Sequence, residues 1–346
     1  MLFVVGAGTS REVNLPTGAE LKSEISRILD IDCRHGQWSK YNNVTEAFNF
    51  ARHRGNFDLE AIISAMRIIR RALPLAISID NLVHQHQGNA AVEFCAKVAI
   101  VDAMLKAEHQ SIMWHDWRNP STLDFSNIED TWFAHFFKLL TENCSAENLE
   151  GRFKSVAFIV FNYDRCIEHF LYNALSLVYR LPDEEIKKLV ANIVIIHPYG
   201  KVGNLPWQAP HHAIPFGEKF GEPECGHQLF EIAGQIRTFT QGTDPEASEI
   251  QKIARLVDDS QLLIFLGFSF NRLNLELLNS NSQKRIREDA RTSFATAHGI
   301  SPPDIDAITS ELANTLKLHR GSIKMHSELM CAGLFQHYSR RLSFVN

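Results

Sequence analysis

The chain has 346 residues, of which 45% are hydrophobic and 22% are charged, and its formal net charge is -5. This composition is typical of globular proteins and excludes a wholly disordered or collagen-like chain. The acidic balance gives the chain as a whole no electrostatic attraction to a nucleic-acid backbone or an anionic membrane, and its length suits one large domain or two smaller ones.

Four short, continuous apolar runs predict buried strands. Each run is rich in Val, Ile, Leu or Phe and ends in a polar or glycine-rich turn, as is typical of parallel strands covered on both faces. Helical spacing follows the first two runs, and the order of strand, turn and helix predicts an α/β fold with a Rossmann-like, doubly wound parallel sheet. The four runs are residues 2–5, 156–161, 193–196 and 262–266.

A different pattern lies between the first two runs. Three apolar stripes at helical spacing begin at Leu59, Val92 and Trp132, and such stripes are more typical of a helical core than of a cofactor site. We therefore expect an all-helical module inserted after the first βα unit. The expected divisions are 1–34 with 151–285 for the Rossmann-like domain, 35–150 for the helical insertion, and 286–346 for a mixed or helical C-terminal extension.

The cysteine pattern gives no expectation of a metal or of a disulfide framework. The six cysteines include no CxxC pair, which predicts reduced thiols in a cytoplasmic protein. Cys225 with the nearby His211, His212 and His227 is a weak metal-site alternative. The apolar runs fall far below the ~20 residues of a membrane span, and the start of the chain lacks the features of a signal peptide.

A glycine-rich turn directly follows the first predicted strand. Glycines let the backbone approach a phosphate, and the N–H groups of such a turn can donate to it. Arg11 stands where the usual dinucleotide fingerprint has its third glycine, and a tight strand-to-helix turn explains the pattern about as well. The turn consists of Gly6, Ala7, Gly8, Thr9 and Ser10.

Polar residues follow the other predicted strands as well. Asn162 and Asp164 come after the second run, where a helix N-cap is the alternative interpretation. His197 and Tyr199 follow the third run, and they would share a face in an extended chain. The fourth run ends in a turn that contains Gly267, Ser269 and Asn271. Because ligands bind at the carboxyl ends of parallel strands, we expect all these residues to line one cleft.

Taken in chain order, these motifs resemble the bacterial sirtuin-like NAD-hydrolase domains of antiphage defence systems. The resemblance extends from residue 1 to about residue 280, and it implies a Rossmann-like domain that binds NAD+ as its substrate, with the phosphates and ribose held by the glycine-rich turn. The motifs that carry it are GAGTS at 6–10, LPTG at 15–18, IDN at 79–81, FNYD at 161–164, HPYG at 197–200 and FLGFSF at 265–270.

The resemblance also implies roles for individual residues. Asn162 matches the catalytic asparagine of the family, and Asp164 matches the acidic residue close behind it. The family's catalytic histidine usually precedes a glycine directly, but here Tyr199 has that place and His197 lies two residues earlier. We assign His197 as the base because an imidazole accepts a proton near neutral pH, with Tyr199 as the alternative. At the fourth turn we expect Gly267 and its neighbours to contact the adenosine.

The expected reaction is hydrolysis of the N-glycosidic bond of NAD+ to nicotinamide and ADP-ribose, without a metal. Protein-deacylating sirtuins carry a zinc module with two CxxC pairs, and this sequence has none. The resemblance further implies a homo-oligomer with gated activity. It also implies a helicase-like ATPase partner, and the protein would contact nucleic acid only through that partner. The alternatives are a sensor that binds NAD or ADP-ribose without turnover, and ADP-ribosyl transfer to a macromolecule.

Overall fold

The structure is a computed structural model that describes residues 1–116, 123–209, 213–218, 226–237, 248–279 and 291–344. His211, His212 and Cys225, which the sequence offered as weak metal-ligand candidates, lie outside the described residues. None of the described helices is both long and apolar enough to cross a membrane.

Six parallel strands form the central sheet, in the order β5-β4-β1-β6-β7-β8. Counted along the chain among themselves, these strands have the order 3-2-1-4-5-6, which is that of a doubly wound Rossmann-like sheet. The predicted fold class is therefore confirmed. The strands are β1 (Leu2–Val5), β4 (Ala157–Val160), β5 (Val194–Ile196), β6 (Leu262–Leu266), β7 (Thr292–Thr296) and β8 (Ile323–His326), and a separate antiparallel hairpin consists of β2 (Cys33–Arg34) and β3 (Gln37–Trp38).

The central strand β1 is buried along its whole length because both of its edges pair with apolar strands. Val5 lies opposite Val160 of β4 on one side and Leu266 of β6 on the other. On one face of the sheet, Phe3 stacks on Phe158 with 5.0 Å between the ring centroids. Continuous apolar runs are what a parallel sheet covered on both faces requires.

Fifteen helices are described around this sheet. The first begins at a capping box, because Thr17 and Glu20 each accept a hydrogen bond from the other's backbone N–H. The helices are α1 (Gly18–Ile28), α2 (Asn43–His53), α3 (Leu59–Ala72), α4 (Ile79–Gln85), α5 (Ala90–Gln110), α6 (Trp132–Thr141), α7 (Leu149–Lys154), α8 (Cys166–Tyr179), α9 (Asp183–Ala191), α10 (Gly226–Ala233), α11 (Ser248–Asp259), α12 (Arg272–Leu277), α13 (Pro302–Leu316), α14 (Cys331–His337) and α15 (Ser339–Leu342).

The helical region between β1 and β4 carries the three predicted stripes on α3, α5 and α6. It is not an isolated module, however. The later helix α10 packs against α2 and α5, and Phe136 of α6 meets Phe3 of the sheet with 5.2 Å between the ring centroids. The insertion therefore shares its core with the Rossmann-like domain.

The expected boundary at residue 285 is wrong, because 286–346 supplies β7 and β8 to the same sheet. Their sequences hide this role. Thr292, Ser293 and Thr296 interrupt the apolar run of β7, and the edge strand β8 contains Lys324 and His326. An edge strand such as β8 carries charged residues that a central strand excludes. The inner strand β7 buries Ser293 and Thr296, so a search for continuous apolar runs finds neither strand.

Candidate functional site

The turns after β1 and β6 touch at the point where the order of the sheet reverses. The Gly6 N–H donates to the Leu266 carbonyl oxygen at 2.9 Å, and the Gly8 N–H donates to the Gly267 carbonyl oxygen at 3.0 Å. A Cβ on Gly6 would lie 2.5 Å from that last oxygen, and Gly267 itself has φ +53°. These glycines are therefore required by contact between the two turns, and the N–H groups of Gly6 and Gly8 are used in that contact.

The rest of the glycine-rich turn continues as a 3-10 helix from Ala7 to Val13. The Thr9 hydroxyl donates back to the Gly6 carbonyl oxygen at 2.6 Å, so it is used within the turn. Ser10 is different, because its hydroxyl donates to Asp164 Oδ2 at 2.7 Å, across to the end of the neighbouring strand β4. Ser10 thus connects the first strand end to the second.

Four predicted residues meet at these strand ends, and we call Ser10, Asn162, Asp164 and His197 the Asn162 cluster. The Asn162 side-chain amide donates to the same Asp164 oxygen that Ser10 reaches. The other carboxyl oxygen of Asp164 accepts the Cys166 N–H at 2.9 Å at the start of α8. Asp164 therefore serves both as the helix cap that the sequence offered as an alternative and as the centre of the cluster.

Burial raises the pKa of the Asp164 carboxyl, which is 3% exposed. The hydrogen bonds from Cys166 and Ser10 and the nearby His197 act in the opposite direction, because they favour the ionised form. Asn162 is 4% exposed, and its side-chain oxygen accepts a hydrogen bond from the Tyr163 N–H at 2.9 Å. The Asn162 amide is thus held at both ends in one orientation.

His197 lies against the main chain of Asn162, with both ring nitrogens next to acceptors. Nδ1 is 3.2 Å from the Asn162 carbonyl oxygen, and Nε2 is 3.1 Å from Glu168 Oε1. A carbonyl oxygen only accepts, so Nδ1 must carry the hydrogen of that contact. In this arrangement the ring is a donor that fixes the Asn162 backbone, and neither nitrogen is free to take a proton from a substrate.

Glu168 is the residue of this site that the sequence did not reveal. It lies in the first turn of α8 and also accepts a hydrogen bond from Lys201 Nζ at 2.9 Å. Burial alone would raise the pKa of the Glu168 carboxyl, but His197 and Lys201 lower it well below its usual range. A glutamate near a helix start is common in any sequence, so no local signal distinguishes this one.

Two tyrosines complete the surroundings of the cluster. The Tyr199 hydroxyl donates to Asn274 Oδ1 at 2.6 Å, and burial raises the pKa of Tyr199 above its ordinary value. A phenol whose pKa is raised stays protonated, so this environment disfavours Tyr199 as the base. The Tyr163 hydroxyl bonds to Asp80 of α4, which joins the IDN and FNYD motifs.

The turn after β6 brings only one of its three predicted residues to the glycine-rich turn, and none of them contacts the Asn162 cluster in the described hydrogen bonds. Gly267 contacts the glycine-rich turn, as described above. Ser269 is exposed, and the side chain of Asn271 accepts the Leu273 N–H at 3.2 Å, so it caps α12. The expected contacts of Ser269 and Asn271 with the adenosine therefore have no support in their placement.

Buried aromatic rings pack around Phe161, the residue directly before Asn162. Phe161 lies 5.2 Å from Phe268 and 5.9 Å from Tyr199 between ring centroids, and all three side chains are buried. Three side chains of the cluster are also buried, since Ser10, Asn162 and Asp164 are 3–4% exposed. The cluster is closed to solvent in this conformation.

A second buried polar network starts at the very next residue. Arg165 and Glu108 of α5 are both 0% exposed and form an ion pair, with Nε 3.0 Å from Oε1. Arg165 also donates to the carbonyl oxygens of Ile214, at 2.6 Å, and Pro215, at 3.2 Å. This network connects the start of α8 to α5 and to the main chain at Ile214 and Pro215.

Across the described parts of the chain, no group of three His, Cys, Asp or Glu residues is arranged to hold a metal ion. Comparison with known proteins gives no family. Neither the protein-family models nor the curated proteins that were compared with the sequence contain a match.

Proposed function

We propose that this protein is an NAD+ glycohydrolase that cleaves the bond between nicotinamide and ribose. The observation that carries the proposal is the pair of hydrogen bonds that Ser10 and Asn162 make to one oxygen of Asp164. They join the ends of β1 and β4 next to the point where the strand order reverses, which is where Rossmann-like sheets bind dinucleotides. The family resemblance of the motifs agrees with this placement.

The first step of the reaction, cleavage of the glycosidic bond, needs little acid–base catalysis. The bond between C1′ of the ribose and the nicotinamide nitrogen breaks, and its electron pair leaves with nicotinamide, which becomes neutral. The ribose then carries an oxocarbenium-like charge, and a water molecule adds to C1′ and loses a proton. Asn162 would orient the ribose hydroxyls or that water, while Asp164 in its ionised form would favour the developing positive charge.

His197 has a more limited role in this proposal than the sequence assigned to it. Its Nδ1–H fixes the Asn162 main chain, so only Nε2 is left to accept the proton, and it can do so only when it carries no hydrogen and is released from Glu168. Entry of NAD+ likewise requires the structure around the cluster to open, because Ser10, Asn162 and Asp164 are 3–4% exposed. Closure around the substrate would exclude water other than the nucleophile.

The biological setting of the proposal rests on the resemblance alone. We propose an NAD-depleting effector of antiphage defence that acts in the cytoplasm as a homo-oligomer and pairs with a helicase-like ATPase. A free-running enzyme of this kind would deplete its own cell, so its activity must be gated.

Replacing the amide at the centre of the site tests the proposal. Asn162→Ala should lower the rate of nicotinamide release from NAD+ at least about a hundredfold, because the group that orients the reaction is removed. Chromatography of the products measures the rate, and circular dichroism checks the fold. The matched control is Asn173→Ala on α8, a part-buried asparagine whose amide donates to the His169 carbonyl at 2.8 Å. Equal rates for Asn162→Ala and the unmodified protein would reject the site.

The second candidate is a sensor that binds NAD+ without turnover, and the placement of His197 favours it. With both ring nitrogens on acceptors, the closed conformation holds no free base. Calorimetry with NAD+, run alongside the chromatography, separates the two functions. Binding that Asn162→Ala abolishes, without release of nicotinamide by the unmodified protein, identifies the sensor.

A further inference from the structure

Glu12 lies two residues beyond Ser10, in the 3-10 helix that continues the glycine-rich turn. Its carboxylate accepts hydrogen bonds from two helices that come from distant parts of the chain. Oε2 accepts the Trp132 N–H at the start of α6 at 2.7 Å, and Oε1 accepts the Ala332 N–H at the start of α14 at 2.9 Å. One side chain therefore connects the glycine-rich turn both to the helical insertion and to the C-terminal segment.

Both helices take their cap from this distant carboxylate. Their N-cap residues are Thr131 and Met330, and in the described part of the chain neither side chain accepts a hydrogen bond from its own helix. The Thr131 hydroxyl instead donates to the Ile128 carbonyl oxygen at 2.7 Å. The first N–H groups of a helix have no partner within it and carry partial positive charge, so a carboxylate satisfies them well. Glu12 supplies that carboxylate to both helices at once.

Trp132 makes a second hydrogen bond to the same turn. Its indole Nε1 donates to the Thr9 carbonyl oxygen at 3.1 Å, and its ring stacks on Phe335 of α14 with 6.0 Å between the centroids. The first residue of α6 is thus bonded to the turn on both sides of Ser10, at Thr9 and at Glu12. The main chain of Ser10 is therefore held between two anchored neighbours.

The charge of Glu12 is part of this connection. Burial raises the pKa of the Glu12 carboxyl, while the N–H groups of Ala332, Trp132 and Cys331 act in the opposite direction because they favour the ionised form. An amide at this position would keep one acceptor oxygen but would turn its NH2 group towards another N–H donor. Glu12→Gln should therefore break one of the two connections while the size of the side chain stays the same.

We propose that Glu12 is a positioning residue of the Asn162 cluster, which holds the Ser10 hydroxyl on Asp164 by fixing the glycine-rich turn to α6 and α14. The C-terminal segment, which the sequence placed outside the site, then supports the site through Ala332. The described hydrogen bonds of Glu12 go to main-chain N–H groups of the two helices, so it acts through Ser10. Its effect on turnover rests on the proposed hydrolysis, whereas its effect on Ser10 does not.

A double-mutant cycle in the full chain tests the step from Glu12 to Ser10. Ser10→Ala removes the hydroxyl, and Glu12→Gln releases one connection of the turn. Ser10→Ala should lower the midpoint of urea denaturation at most about half as much in the Glu12→Gln background as in the unmodified protein, because residues of one network do not contribute independently. Equal decreases overturn the proposal, since Glu12 would then stabilise the fold without acting on Ser10.

Nicotinamide release tests the step from Ser10 to the reaction. Glu12→Gln should lower kcat at least about tenfold and change the KM for NAD+ less than about threefold, because a displaced Ser10 weakens contacts that matter in the transition state. In the Ser10→Ala background the same substitution should lower kcat less than about twofold, which a general loss of stability would not produce. An unchanged kcat in Glu12→Gln overturns the proposal.

Asp58→Asn is the matched control, because it also replaces a carboxylate that caps a helix. Asp58 accepts the Ala61 N–H of α3 at 2.7 Å and has no described hydrogen bond to the glycine-rich turn. Its kcat, and the decrease that Ser10→Ala causes in its background, should equal those of the unmodified protein. If the unmodified protein releases no nicotinamide, the proposed hydrolysis fails, and the urea cycle alone then decides whether Glu12 positions Ser10.

Discussion

Asp164 and Arg165 are neighbours in the chain and are both buried, yet they belong to networks with different purposes. Every described contact of Arg165 is with a carboxylate or carbonyl group that closes the fold around α8. Asp164 instead gathers Ser10 and Asn162 at the ends of two parallel strands. The comparison teaches that burial of a charged residue does not identify a site; its position at the carboxyl edge of the sheet does.

The largest effect that separates the two networks is expected at Arg165. Arg165→Met should lower the free energy of unfolding by about 3–5 kcal/mol, because Glu108 is left as an uncompensated buried charge. Urea denaturation measures this loss. Arg27→Met is the control, since Arg27 is 70% exposed in its pair with Glu24 and such pairs contribute little.

Adding Glu108→Leu to the Arg165 variant should recover part of the loss, because both charges are then absent. A loss below about 1 kcal/mol in the single variant would contradict the assignment of Arg165 to the scaffold.

The parts of the fold that depend on short-range sequence patterns could be predicted. The runs at 2–5 and 262–266 have the bounds of β1 and β6, and the stripe that begins at Leu59 lies on α3. The missed strands β7 and β8 both carry polar residues, although only β8 lies at the edge of the sheet. Their membership in the sheet depends on pairing with β6, which no local pattern encodes.

The site was predictable in the same limited sense. Placement at strand ends brought Ser10, Asn162, Asp164 and His197 together, as the topology requires. It could not reveal that Glu168 occupies the far nitrogen of His197, because that contact depends on how α8 packs against the end of β5. Nor could it separate Asn271, which caps a helix, from a residue that faces the site.

Glu168 contacts His197 of the Asn162 cluster and also pairs with Lys201. Its replacement therefore tests whether a residue next to the candidate site also stabilises the fold. Because His197 and Lys201 lower its pKa, its ionised form stabilises the fold above the unfolded pKa of ~4.3, and this contribution is lost as the pH falls through the folded value. Glu168→Gln should therefore cost about 2 kcal/mol at pH 7, and the difference from the unmodified protein should shrink below about pH 4.

Urea denaturation at several pH values measures that difference. Glu150→Gln provides the control, because Glu150 pairs with Lys154 on the surface and its loss should leave the pH profile of stability nearly unchanged. A cost for Glu168→Gln that stays constant from pH 7 to pH 3 would mean that the charge of Glu168 does not stabilise the fold.

The smallest change in stability, and the sharpest separation of stability from activity, is expected at Ser10. Ser10→Ala should cost only about 1 kcal/mol, because one buried hydrogen bond is lost. The same change removes one of the two side-chain donors on Asp164 Oδ2, so the Asn162 amide is held less firmly and NAD+ turnover should fall at least about tenfold.

Ser111→Ala is the control, since this buried hydroxyl donates to the Val13 carbonyl at 2.7 Å and accepts from the Met113 N–H at 3.1 Å, but lies outside the Asn162 cluster. It should lose at least as much stability as Ser10→Ala and keep its turnover. Urea denaturation and nicotinamide release, measured on both variants, distinguish an effect on turnover from an effect on stability. If the two serine variants lose turnover to the same degree, the bond from Ser10 to Asp164 acts only as scaffold, and the distinction between the networks of Asp164 and Arg165 fails.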